Sequence, residues 1–124
     1  MPLTSAGKIQ VMDGGLPSPL YIQLHVGAPG AAGTANQATE TTRQSITVGA
    51  ANTAGVRSNT NTGSWTSITV SAASETISHF TAWTSASASS FCVAQQQLTT
   101  SRIVQSGDTV TFASSAFTFG LQDP

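Results

Sequence analysis

Two histidines, His25 and His79, are the side chains best suited to proton transfer or metal binding near neutral pH. Each stands among Thr, Ser and apolar neighbours, with no second ligand at metal spacing and no H-E-x-x-H pattern. Both are therefore expected to be structural. Hydroxyls are so abundant that a serine near an imidazole carries no weight, and no G-x-S-x-G elbow accompanies them. The acids Asp13, Glu40, Glu75, Asp108 and Asp123 are scattered, and no spacing selects a pair for hydrolysis. Asp108 follows Gly107 and reads as a turn residue. Gly27, Gly30 and Gly33 lack the G-K-[ST] ending and the following helix of a phosphate cradle. The single cysteine, Cys92, lies in the apolar stretch Phe91-Cys92-Val93-Ala94, where no neighbour would activate a thiolate. It is expected to be a small, inert hydrophobe. The reading is of a non-enzyme with no catalytic, cofactor-binding or metal-binding residues.

Composition points the same way. Charged residues make up only 7% of the chain, against about 25% in an average soluble protein, so Ser, Thr, Asn and Gln must supply solubility. Threonine suits a pleated surface better than a helical one. Four basic residues without a cluster cannot neutralise many phosphates, which argues against nucleic acid as a partner. No apolar run reaches the roughly 20 residues of a membrane span, and residues 1–15 carry no apolar block of signal-peptide length, so neither membrane insertion nor secretion by that route is expected.

The elements that would position these residues are short strands. Residues 1–19 form an N-terminal helix or arm: Thr4 or Ser5 can cap it, Ile9, Met12 and Leu16 recur near helical spacing, and Gly14-Gly15 with Pro17 stop it. Residues 20–124 then read as one β-sandwich domain. Leu20, Ile22, Leu24 and Val26 alternate with Tyr21, Gln23 and His25, the second set facing solvent or a neighbour. Residues 27–40 form a long turn-rich connection. Ile46 and Val48 share a face, residues 52–63 form a polar loop, and Trp65, Ile68 and Val70 run out of phase across Ser67. In the strand over 76–84, Phe80 and Ala82 oppose Ile77, His79 and Trp83. Strands over 91–98 and 102–105, a turn at Ser106-Gly107-Asp108, and strands carrying Val110 with Phe112 and Phe117 with Phe119 and Leu121 complete the chain. Seven or eight such strands, too close for helical crossovers, specify an all-β, single antiparallel β-sandwich, immunoglobulin-like or jelly-roll-like. Leu24, Val48, Phe80, Val110 and Phe112 are the expected core. Tyr21, Trp65 and Trp83 are the pool from which a sugar-stacking platform could be drawn.

The run Leu24-His25-Val26-Gly27-Ala28-Pro29-Gly30, continuing Gly33-Thr34-Ala35-Asn36, resembles a family of small tailed-phage virion proteins of minor-tail or tail-fibre-like type with an L-H-x-G-x-P-G loop. Arg43-Gln44-Ser45-Ile46-Thr47, Thr76-Ile77-Ser78-His79-Phe80 with Trp83, and Gly107-Asp108-Thr109 with Phe112 are similar to further stretches of that family, in order, over residues 24–119. Ala28 stands where Asp is common there and Gln37 where Glu is common, so no acid at those positions can act here. The resemblance implies a non-enzymatic structural component of a tailed-bacteriophage virion, assembled in the host cytoplasm and set on the particle exterior as a minor tail or fibre-associated protein. A capsid decoration protein on the head lattice is the alternative, and a carbohydrate-binding adsorption module the third reading. The implied partners are other virion proteins, tail or capsid subunits, and further copies of the chain, with a host-surface glycan a lesser candidate. The apolar stripe before Leu20 and the 27–40 loop supply the candidate interface: Ile9, Met12, Leu16, Pro29 and Asn36.

Overall fold

The computed structural model describes residues 3–87, 90 and 92–120. Helix α1 (Ser5–Gly15) starts at Thr4, whose hydroxyl accepts from the Gly7 amide at 3.1 Å and so satisfies a donor that the first turn leaves unpaired. Eight strands follow: β1 (Leu20–His25), β2 (Gln44–Ile46), β3 (Arg57–Ser58), β4 (Gly63–Trp65), β5 (Glu75–Trp83), β6 (Cys92–Val104), β7 (Val110–Phe112) and β8 (Thr118–Phe119). A four-stranded sheet runs β2-β1-β5-β6, and two ribbons, β3-β8 and β4-β7, lie apart from it. Every pairing is antiparallel, as short connections demand. The chain is the expected all-β antiparallel sandwich with one short N-terminal helix.

The core forms where the main sheet meets the ribbons. Leu20, Ile22, Leu24 and Ile46 lie beside Phe80 and Ala82, and Trp65, Val110, Phe112, Phe117 and Phe119 close over them. Phe117 is fully buried, with ring centroids 4.7 Å from Phe80 and 4.9 Å from Phe112. All five expected core residues are buried. Two phase breaks have local causes. Ser67 adopts φ 51°, which turns the chain and lets Ile68 and Val70 enter the core behind Trp65. A register shift between Ile77 and His79 brings Ile77 into the same core as Phe80 instead of setting it opposite.

Three expectations need correction. Gln23 and His25 are buried, at 2% and 0% exposure, because β1 is a central strand whose second face is covered by the 27–43 segment; Val26, expected inside, is 38% exposed. The two predicted strands over 91–98 and 102–105 are one, β6, since no glycine, proline or asparagine interrupts the run from Cys92 to Val104; Phe91 lies outside the described residues. The polar loop over 52–63 contains β3 and two buried polar side chains, Arg57 and Asn59. Leu121, the last residue of the expected closing strand, also lies outside the described residues.

Candidate attachment surface

The main sheet has two unlike faces. Its outer face carries Gln23, His25, Thr81 and Trp83, roofed by the connection that follows β1. That connection is pinned, not loose. The Val26 amide donates to the Asn36 carbonyl, Ala35 to Pro29 and Ala38 to Leu24, and His25 bridges to Gln37. Gly33, at φ 75°, packs so close to β6 that a Cβ there would stand 2.7 Å from Cys92 Sγ. Arg43 closes one end: its guanidinium lies 3.9 Å above the Trp83 ring, its Nε donates to Gln23 Oε1, and Nη1 donates to the Ser85 and Ser87 carbonyls. Glu75 closes the other, accepting from the Thr39 amide and hydroxyl.

The inner face is less completely covered. Beyond Phe80 the sheet overhangs the ribbons, and a groove of about 790 Å³ opens between α1, the first half of β6 and β8. Met12, Leu16, Val56, Phe80, Ala94 and Phe119 make most of its apolar wall. Val11, also in the wall, is 48% exposed. One side is β6, an edge strand that among the described residues pairs with β5 alone. Edge strands usually carry lysine or proline to deter pairing. From Cys92 to Ser101, β6 has neither, and Gln95, Gln96 and Gln97 are exposed.

Arg57 holds α1 against this body, and nothing in the spacing of the sequence pointed to it. Its side chain is 8% exposed and donates to four carbonyls: Nη1 to Met12 at 2.8 Å and Leu16 at 2.7 Å, Nε to Gly49 at 2.7 Å, and Nη2 to Val48 at 3.2 Å. Two of these belong to the helix C-terminus, where carbonyls lack intrahelical partners and a cation is favoured. Asp13 stands 3.6 Å from Nε and accepts from the Ala51 amide.

The expected interface residues fall in two separate places, α1 and the loop after β1. Met12 is buried and Leu16 half-buried, both in the groove wall, with Ile9 half-buried one turn earlier on α1. Pro29 is buried beneath its own loop, and Asn36 is exposed on that loop at φ 53°, its amide donating to the Ala28 carbonyl. The aromatic pool does not make a platform: Trp65 and Trp83 are 1% and 4% exposed, and their indole N–H groups donate to the Thr42 carbonyl and Thr81 Oγ1. Both histidines are engaged in structure, His79 through Ser78 Oγ at 2.8 Å and His25 through the loop. No group of three or more metal-ligating side chains converges among the described residues. Desolvation raises the Cys92 thiol above its ordinary value, the opposite of what a nucleophile needs.

The model of one family, described as podophage GP4 fiber I protein gp80, matches residues 13–120. The chain belongs to that family. The match runs from the last turn of α1 to the end of β8, so it takes in both sheet faces, the roofing loop and the groove wall apart from Val11 and Met12. No curated protein matches the chain. The family places this chain among the fibre proteins of phage virions.

Proposed function

We propose that the chain is a non-enzymatic structural subunit on the exterior of a phage particle, a minor component associated with the tail fibre. The family match over residues 13–120 carries this reading. The groove beside α1 supports it, because an apolar cleft flanked by an open, uncharged strand edge suits attachment to another virion protein. Partner contacts would centre on Val11 and Leu16 and on the β6 edge. Attachment would rest on apolar burial and backbone hydrogen bonds, so it should depend weakly on salt. Quantifying the chain against the major capsid protein in purified virions, with antibody labelling of the particles, tests the assignment. Labelling of the tail at a copy number far below that of the capsid protein is expected. Labelling of the head at lattice stoichiometry would replace this reading with capsid decoration.

A further inference from the structure

His25 is fully buried, and both its ring nitrogens are committed. Nδ1 lies 2.9 Å from the Ala35 carbonyl, an acceptor only, so Nδ1 carries the proton. Nε2 lies 2.9 Å from Thr81 Oγ1. That oxygen already accepts from the Trp83 indole N–H at 2.7 Å. The arrangement closes when the Thr81 hydroxyl donates to an unprotonated Nε2. A neutral imidazole therefore satisfies every donor and acceptor in the set.

An imidazolium does not. With a proton on Nε2, Thr81 Oγ1 would face two N–H donors, and its own hydroxyl hydrogen would lose its acceptor in a buried site. Among the described residues, no acid offsets the charge. The segment over 27–38 that covers the ring contains no ionisable residue. From β5 it is faced by His79, its cross-strand partner, and from the residue before β2 by Arg43, both of which oppose a further positive charge. Cys92 on β6 is held as a neutral thiol by burial. On β1 itself the same face carries Gln23 and Tyr21. Desolvation, the largest effect, accordingly pushes the His25 pKa below 6.5, with His79 and Arg43 adding to it and the Ala35 and Asn36 backbone opposing it.

The ring can gain water only if its roof lifts, and the roof is held partly by the ring. We propose that protonation of His25 releases the 27–38 loop from the sheet, making that face of the subunit an acid-sensitive switch. The sign follows from the preferred state. In the closed form the imidazole stays neutral, while in an opened or unfolded form it titrates near its ordinary value. The closed loop is thus fully favoured above about pH 6.5 and loses ground progressively as the pH falls below it. The released loop would expose Pro29 and present Asn36 differently, which alters the outer face without disturbing the core aromatics.

Amide hydrogen exchange and imidazole NMR on the intact chain test this between about pH 8 and about pH 4.5. The amides of Val26, Ala35 and Ala38 report the loop, and that of Phe80 reports the core sheet. After correction for intrinsic exchange, loop protection should fall by on the order of tenfold for each pH unit through the switching range while Phe80 stays protected. His25 should remain an Nδ1–H tautomer and titrate below its ordinary value. His25→Gln should remove the pH dependence, and His79→Gln should keep it. Loop amides that track Phe80 over the whole range, or an unaltered acid response in His25→Gln, would overturn the proposal. Should His25→Gln not fold, the wild-type exchange profile and the His79→Gln control decide alone.

Discussion

Replacing Arg57 should unfasten the helix from the sandwich, and the loss can be worked from its contacts. The guanidinium is buried and makes four hydrogen bonds of 2.7–3.2 Å to main-chain carbonyls from two segments, the helix C-terminus and residues 48–49. A hydrogen bond from a charged group contributes about 1.5–3 kcal/mol, but four made by one side chain are not additive. Truncation also leaves the Met12 and Val48 carbonyls, whose bonds to Arg57 are buried, without this partner. Together these give about 3–5 kcal/mol for Arg57→Ala, comparable to breaking a buried ion pair. Asp13 contributes little of this, since its side chain is 41% exposed and stands 3.6 Å away. Asp13→Asn should cost less than about 1 kcal/mol. Arg57→Lys keeps the charge but cannot reach four carbonyls, and should fall between. Urea unfolding followed by the fluorescence of the buried Trp65 and Trp83 measures all three. With a slope of about 2 kcal/mol per molar, the Arg57→Ala midpoint should drop by about 2 M. A loss under about 1 kcal/mol for Arg57→Ala, or equal losses for Arg57→Ala and Asp13→Asn, would refute the carbonyl clamp.

Phe117→Ala should cost about 3–5 kcal/mol, because the ring is fully buried between Phe80 and Phe112, whereas Val26→Ala should be close to neutral; thermal unfolding of the pair compares them directly. Gly33→Ala combines a φ of 75° with a Cβ set 2.7 Å from Cys92 Sγ, and should destabilise by at least about 1–3 kcal/mol, partly recovered in Gly33→Ala with Cys92→Ala; chemical denaturation of single and double variants checks the coupling. Native Cys92 should react with thiol reagents far more slowly than the unfolded chain at neutral pH, since desolvation raises its pKa; equal labelling rates would show the thiol to be open.

Some of this protein was legible in the order of its residues alone. Fold class follows from period-two alternation in short runs, from turn residues between them, and from a polar composition of hydroxyls and amides that favours pleated surfaces. The helix was readable at both ends, because Thr4 and the Gly14-Gly15-Leu16-Pro17 sequence act through local backbone chemistry. The core phases of Leu20 to Leu24 and of Val110 with Phe112 needed only the alternation.

What folding in three dimensions decided was which polar residues lie inside. Alternation assigns Gln23 and His25 to a wet face because it cannot show that a connection remote from regular structure will fold back over that face. The same return buries Pro29, fixes the tautomer of His25, and sets Gly33 against Cys92. Arg57 carried no local signal either: its four acceptors come from residues 8 to 45 positions away, and only closure of the sandwich brings them to one point. The groove is likewise a mismatch between a long sheet edge and the short β3-β8 ribbon beside α1. Local sequence dictates each of those lengths, but a gap between them exists only once they are packed. Periodicity reports the environment that a strand's own neighbours predict, whereas buried hydrogen bonds and clefts depend on segments that meet through the fold.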